Sequence, residues 1–348
     1  KDPFFYSTIW LPLVLVNQKW RKQKNVLKTG SSIGSHLALF TVGAIYAGNY
    51  VVAKDVMPDV VGPSGFIVLR VIGGSFLFLM TMILTGIFNP NIKIFEKIER
   101  RDYLRFLVSG LTGVAINQLC FFNGLSLTSP IHASLIMTIT PIFVLLVSFI
   151  LLGSIITSRK LTGIFIGGAG AALLFIYGSG NAETTSISGA SVYGDALIVI
   201  NSFSYGVYLV VVKPLMKKYR PITVITWVFI VGTVFVLPIG YQEATQISWS
   251  SLTVSHMQSI AYVILGTTFL AYLLNIIALK RVAPVVVSIY IYLQPLLVLV
   301  LVVVLAFLGV SEYHKDIGFI TAVCTVAIFT GVWLVSVPRG WNLVGRKS

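Results

Sequence analysis

Apolar residues along this chain arrive in blocks of about twenty, divided by short polar intervals. Most blocks show neither the 3.6-residue period of an amphipathic helix nor the two-residue alternation of a half-buried strand. Twenty helical residues rise about 30 Å, the thickness of a bilayer's hydrocarbon core, so each block reads as a membrane-spanning helix. Ten such spans lie near 34–54, 65–87, 104–123, 130–152, 160–178, 192–213, 221–240, 258–279, 284–307 and 317–337. The longest intervals, 88–103, 179–191 and 241–257, leave no room for a soluble domain. The expected class is an all-α polytopic membrane protein.

Composition agrees: 56% of the 348 residues are hydrophobic and 10% are charged, where a soluble domain carries about 25% charge. The net charge of +14 does not point to nucleic acid, because the basic residues form no contiguous face and stand beside no binding motif. They sort by side. Lys19, Arg21, Lys22, Lys24 and Lys28 precede span 1, and Lys93, Lys97, Arg100, Arg101 and Arg105 follow span 2. Arg159 and Lys160 follow span 4, Lys213, Lys217, Lys218 and Arg220 follow span 6, and Lys280 and Arg281 follow span 8. With Arg339, Arg346 and Lys347 after span 10, 21 of the 25 basic residues share one side. The opposite intervals hold Lys54 and Lys315 and most of the acids: Asp55, Asp59, Glu183, Glu243, Glu312 and Asp316. The positive-inside rule then puts both termini in the cytoplasm, and the expected location is the cell (inner) membrane, crossed many times.

Phe4 to Val16 is a thirteen-residue apolar run, short for a span and followed rather than preceded by basic residues, the reverse of a signal peptide. Whether residues 1–24 belong to the native protein is left open, and no function attaches to them. Cys120 and Cys324 fall inside spans, with no disulfide framework or metal-ligand spacing. No metal or cofactor is expected.

The chain repeats itself. SPIHASLIMTITPIFVLL (129–146) matches APVVVSIYIYLQPLLVLV (283–300), with Pro130 and Pro284, Ser134 and Ser288, and Pro141 and Pro295 each 154 residues apart. Leu125 and Leu279 keep the same offset, while Gly113 and Gly266 both lie in the preceding span. RKLTG (159–163) resembles HKDIG (314–318), and AKDVMPDVVGP (53–63) is distantly echoed by VKPLMKKYRP (212–221). The organisation is a basic N-terminal segment 1–33, a first repeat 34–179, an external linker 180–190, a second repeat 191–337 and a tail 338–348. Five spans per repeat is odd, so the two halves cross the membrane in opposite senses. Inverted repeats build many secondary transporters, with the substrate near the midplane where the halves meet. Proline costs a helix roughly 3 kcal/mol, and broken backbone is tolerated in a bilayer only inside protein or beside a watery cavity. The four prolines Pro130, Pro141, Pro284 and Pro295 are therefore expected to bend spans 4 and 9 around such a cavity, packing kinks being the plainer alternative.

The chain resembles the EamA family of the drug/metabolite transporter superfamily over about residues 34–337, nearer its bacterial members than its plant or Golgi ones. The resemblance rests on YAGNYVVAK (46–54), FIVLR ending at Arg70, and GVAINQLCFFNGLSLTSPIHAS (113–134). In the second half it rests on SYGVYLVVVKPL (204–215) and GTTFLAYLLNIIALKRVAPVVVSIYIYLQP (266–295). It implies ten helices in two repeats and transport of small organic solutes, export more than import, and it says little about which solute.

Helical spacing nominates a lining. Span 4 offers Pro130, Ser134, Thr138 and Pro141 on one face; span 9 offers Pro284, Ser288, Tyr292 and Pro295, with Gln294 one residue off. Span 1 adds Tyr46, Asn49 and Tyr50, span 6 Asn201, Tyr205 and Tyr208, span 3 Asn117 and Gln118, and span 8 Tyr272 and Asn275. Any one of them could instead bond its own helix or join two helices; convergence from both halves favours a polar, aromatic pocket. Arg70 lies two turns inside span 2, near its outer end, where a charge is costly; the open readings are anion recognition or gating, snorkelling to the surface, and an ion pair with Asp55 or Asp59. Lys54 and His132 near the outer surface, and Asp195 at the start of span 6, have ordinary interfacial readings. No carboxylate stands mid-span, so the usual carboxylate proton relay has no support.

The leading expectation is a secondary-active transporter of amino acids or related metabolites working by alternating access. Its partners are then a small-molecule substrate and the lipid bilayer, as a monomer or homodimer. An exchanger of phosphorylated metabolites or nucleotide sugars would need paired cavity cations beyond Arg70. No HExxH, phosphate-binding glycine loop or GxSxG supports an enzyme. A scaffold or sensor leaves the inverted repeat unexplained.

Overall fold

A computed structural model of the chain describes residues 33–56, 61–89, 91–127, 136–178, 192–294, 296–297, 300–301, 304 and 319–336. Ser134, Pro130, Pro295, His132 and Asp59, and the side chains of Tyr50, Lys54 and Asp55, lie outside what is described, as do residues 1–32 and the linker and tail.

The protein is an all-α polytopic membrane protein whose ten membrane helices form two inverted five-helix repeats. The helices are α1 (Ile33–Val56), α2 (Pro63–Phe88), α3 (103–127), α4 (Thr140–Leu152), α5 (Ser158–Gly178), α6 (Val192–Val212), α7 (Pro221–Thr245), α8 (254–281), α9 (opening with Pro284–Ile289) and α10 (Phe319–Ser336). Among the described residues there is no strand. Among the described residues five helical stretches, in α2, α3, α6, α7 and α8, are long and apolar enough to cross a membrane by themselves. The surface is inverted relative to a soluble protein: Phe76, Phe149, Phe165, Val234 and Val326 are exposed while Asn49, Arg70, Gln118 and Asn201 are buried. Lipid is the solvent for those outer faces, so polar groups turn inward where they can be paired.

With no hydrophobic drive between helices in lipid, close approach depends on small residues and interhelical hydrogen bonds. α5 lies on α10 through Gly163, Gly167 and Gly170, opposite Gly331 and Ala327; a side chain on Gly163 would stand 3.0 Å from the Gly331 carbonyl. α3 meets α6 through Gly124 and Gly194, where a carbon added to Gly124 would sit 2.9 Å from the Gly194 carbonyl. α2 runs along α7, joined by the Ser75 and Thr233 hydroxyls at 2.9 Å. At one end of that pair Glu243 accepts hydrogen bonds from the backbone N–H groups of Ser64 (2.8 Å) and Gly65 (3.0 Å), a carboxylate on the positive N-terminus of α2.

The opposite end, where the 88–103 and 213–221 intervals lie, is tied by charge. Asp102, wholly buried, accepts from Arg105 (2.7 Å), Lys218 (2.8 Å) and Tyr219 (2.9 Å). Lys218 also reaches Glu99 at 2.9 Å, and Arg220 donates its backbone N–H to Glu96 (3.0 Å) and its guanidinium to the Lys93 carbonyl (2.6 Å). Lys213 at the end of α6 caps the last turn of α8, donating to the carbonyls of Leu279 and Val282. The first repeat's loop is thereby fastened to the second repeat's.

Burial alone would raise the Asp102 carboxyl, but the hydrogen bonds from Lys218, Tyr219 and Arg105 outweigh it and hold the group below the ordinary carboxylate value. The folded state therefore binds this proton less tightly than the unfolded chain. Its stabilisation is complete above about pH 5 and is lost as pH falls through and below about 4. Asp102→Asn is expected to lose about 1–3 kcal/mol at neutral pH, towards the lower end because Lys218 can rehydrate. Its melting curve should also respond less than wild type to acidification between about pH 5 and 3. A pH series of tryptophan-fluorescence melts reads both effects.

Candidate functional site

The two repeats meet where their backbones loosen. In α3 an α-helix (Tyr103–Gly110) widens into a π-helical stretch at Leu111–Ala115 before continuing as Ile116–Leu127. In α8 the same happens at Val263–Leu270, between Val254–Tyr262 and Ala271–Arg281. The sequence offset of 154 carries Leu111–Ala115 to 265–269, inside the second stretch. α4 is interrupted at Thr138 and Ile139, and α9 tightens to a 3₁₀ turn at Tyr290–Tyr292. Ile139 has φ −74°, ψ −17°, and its repeat mate Leu293 has φ −76°, ψ −20°.

The prolines account for this loosening differently from the sequence expectation. Pro141 stands in the first turn of Thr140–Leu152, directly after the interruption, and Pro284 occupies the first turn of α9, where a missing N–H costs nothing. Pro284 starts its helix and does not bend it. Pro141 has no N–H to return to the carbonyl four residues back, at Met137, which leaves the preceding turn loose.

Repeat-related residues touch each other, which places them on the pseudo-twofold axis. Gln118 donates to the hydroxyl of its mate Tyr272 at 3.3 Å, and Tyr292 donates to the carbonyl of its mate Thr138 at 3.0 Å. Ser75 and Thr233, each twelve residues after the proline that opens α2 or α7, form a third such pair.

Around that axis lies a cavity, partly open to the surroundings. Tyr46 and Tyr205 face it from α1 and α6, Met137 and Ile291 from α4 and α9, Thr140 and Gln294 from the same two helices, and Gln118 and Tyr272 from α3 and α8. The last three pairs keep the 154-residue offset; Tyr46 and Tyr205 correspond at 159, the offset that also matches Lys54 to Lys213 in α1 and α6, and the prolines opening α2 and α7, Pro63 and Pro221, correspond at 158. Asn49, Arg70, Asn117, Phe121, Phe122 and Asn201 complete the lining. Asn117 and Asn201 clamp α3 to α6 reciprocally, Asn201 donating to the Asn117 carbonyl at 2.7 Å and Asn117 to the Asn201 carbonyl at 3.4 Å.

Arg70 is the one cation among the described lining residues, and it is 4% exposed. Its Nε donates to the Thr268 hydroxyl at 3.1 Å and its Nη2 to Thr267 at 3.5 Å, while its Cζ stands 4.6 Å over the Phe122 ring. No carboxylate pairs with it among the described residues. The π-helical stretch explains how two adjacent threonines can serve one guanidinium. Thr267 and Thr268, four and five residues past Val263, both donate to the Val263 carbonyl at 2.8 Å. Their oxygen lone pairs stay available to Arg70.

Five nominated residues stand outside the cavity. Tyr208 is buried against Gly113, its Cε2 2.8 Å from where a side chain on that glycine would begin. Tyr292 fills the slot above Gly167 and Gly168. Ser288 donates to its own helix at the Val285 carbonyl (3.0 Å), and Asn275 donates to the Tyr205 hydroxyl (2.7 Å) from behind it. Thr138 serves through its backbone. The lining residues not anticipated were Phe121, Phe122, Met137, Thr140 and Ile291. Applying the 154-residue offset to Gln294 would have found Thr140, whereas nothing in the sequence marks Phe122 as the ring beneath Arg70.

Residues 33–176 and 192–337 each match the model of the EamA-like transporter family. The chain belongs to that family. As an EamA-like transporter it resembles an "Uncharacterized transporter" of Archaeoglobus fulgidus, 25% identical over 88% of this chain and 98% of that one. It also resembles a "Probable terminal-alkyne amino-acid exporter" of Streptantibioticus cattleyicolor, 31% identical over 40% of this chain and 44% of that one. A solved crystal structure superposes with a TM-score of 0.63 at 16% identity, covering 86% of this chain and 95% of its own, which is a likeness of fold.

The reciprocal asparagine clamp of this EamA-like transporter makes a measurable difference between two buried polar residues. Asn201→Ala, which breaks bonds between helices, is expected to cost about 1–2 kcal/mol, and Ser288→Ala, which breaks one within a helix, well under about 1 kcal/mol. Melting midpoints of the two purified variants should fall in that order.

Proposed function

We propose that the chain is a secondary-active exporter of small organic solutes, amino acids or related metabolites, working by alternating access with both termini in the cytoplasm of an inner-membrane cell envelope. The observation that carries this reading is the cavity on the pseudo-twofold axis, walled by equivalent residues of both repeats. An axis through a site lets the halves exchange conformations, opening the site to one side and then the other while its lining stays in place. The ionic ties around Asp102 and Lys218 close the end that carries the basic loops, and their rupture is the natural cost of opening it.

The solute class follows from the lining: tyrosine and phenylalanine walls, amide and hydroxyl groups, and one cation. The partial likeness to a probable amino-acid exporter favours the same class and the outward direction. Exchange of phosphorylated metabolites fits less well, since a phosphate dianion wants more than one cation, and the described lining supplies Arg70 alone.

Flux tests the reading. Proteoliposomes bearing the protein are expected to transport at least one member of an amino-acid and metabolite panel faster than empty vesicles, and no flux for any member would refute it. Alternating access predicts more. In a background lacking Cys120 and Cys324, Asp102→Cys with Lys218→Cys bridged by a short bis-maleimide should stop flux, while each single cysteine treated likewise should not. Impermeant labelling of cysteines placed in the 88–103 loop should occur only from the cytoplasmic side.

A further inference from the structure

Among the described residues Arg70 meets no counter-charge. A guanidinium has five N–H donors; two meet threonine hydroxyls, one face rests on Phe122, and the group lines a cavity whose described lining holds no carboxylate. An uncompensated charge at this depth is costly, and the cost is not repaid by another residue of the described chain. The rigid part of the arrangement is the support: two threonines anchored on one carbonyl by a π-helical turn, and a ring below. Such a cradle holds two of the guanidinium's N–H groups in a residue that lines the cavity.

Three other lining groups complement it. The side-chain carbonyls of Asn49 and Gln118 and the hydroxyl of Thr140 belong to residues at most 6% exposed and have no hydrogen-bond partner among the described residues. A buried polar atom left without a partner costs about 1–3 kcal/mol, so three around one cavity form a set awaiting donors. Asn49 and Gln118 offer acceptors, and an acceptor wants an N–H or O–H. Tyr46, Tyr205 and Tyr272 line the same cavity, and an aromatic face is a surface on which a cation is favourable.

The geometry points to a zwitterion subsite: Arg70 takes the ligand's carboxylate through its free edge, while Asn49, Gln118 and Thr140 take the N–H donors of its ammonium group. The repeat supplies a reason for the polarity of this arrangement. Position 70 in α2 corresponds to Val228 in α7, and Asn49 corresponds to Tyr208, so the charge and one acceptor exist in a single copy. A symmetric cavity would accept its ligand in two orientations; this one has one end for the acid. The proposal rests on the transporter reading above for its biology and separates from it by experiment.

The purified full-length chain is titrated with each of the twenty amino acids while its melting midpoint is followed. The best binder is then compared with its own carboxamide, which keeps the ammonium and side chain and lacks the carboxylate, and with its deaminated acid. The acid-to-amide change is expected to weaken the apparent affinity at least tenfold, and the deaminated acid to lie between the two. Arg70→Gln should abolish the shift and Arg70→Lys should retain a weakened one. An amide that binds as well as its acid, an Arg70→Gln protein that still responds, or no shift with any of the twenty overturns the proposal. Should Arg70→Gln fail to fold, the acid–amide contrast in the wild-type protein decides. Flux of the same compounds is read in parallel. Carboxylate-dependent binding without flux sinks the carrier reading and leaves the subsite standing, and equal flux of acid and amide does the reverse.

Discussion

Inside a bilayer every backbone N–H and carbonyl must find its partner within the protein, and a regular helix is the ordinary way to arrange that. Among the described residues this chain departs from the regular helix at Leu111–Ala115, Thr138–Ile139, Val263–Leu270 and Tyr290–Tyr292; Ile291 of the last lines the cavity, and Asn117, Met137, Thr140 and Tyr272, each within two residues of one of the others, line it too. The rest of the structure follows from that confinement. Irregular backbone is tolerated only where protein or water surrounds it, so the four loosened segments lie near a polar cavity inside an apolar shell. Between the other described helices close approach runs through glycine.

Duplication doubles these departures, and a twofold axis brings the copies face to face. Gln118 meets Tyr272 and Thr138 meets Tyr292 because a residue close to the axis has its own mate as nearest neighbour. Symmetry alone would yield an indifferent cavity. The two copies have diverged at the positions that carry chemistry: arginine against valine at 70 and 228, asparagine against tyrosine at 49 and 208, and Phe122 against Ile276. The symmetric positions supply the wall and the divergent ones supply its preference.

Much of this is legible in the sequence, and what is not fails for identifiable reasons. Block length and the 154-residue offset are one-dimensional signals, so the spans, the repeat and the inversion can be read directly. Lining residues can be read in part because polar side chains are scarce in spans: Asn117, Gln118, Asn201 and Tyr205 are conspicuous there and do face the cavity. Tyr208, Tyr292 and Ser288 are equally conspicuous and do not. Whether an aromatic ring faces a cavity or a helix depends on which neighbour leaves room, and the room for Tyr208 and Tyr292 is made by Gly113 and Gly167, far away along the chain. The π-helical stretches defeat spacing arguments too, since each extra residue in a turn rotates everything after it by about 100°. Prolines mark the right region, yet Pro284 turns out to begin a helix, a position a sequence cannot distinguish from one inside it.

The charges divide into two economies by depth. Asp102, Glu99, Lys218 and Arg105 neutralise one another at the membrane edge, where water can take over if the cluster opens, so their separation costs only a few kcal/mol at most. Arg70 has no such alternative. It cannot be neutralised by losing its proton, and the nearest hydroxyls can stabilise it without cancelling its charge. Among the described residues the charges at the membrane edge are thus answered by one another, while the buried charge is held by hydroxyls and an aromatic ring that stabilise it without neutralising it.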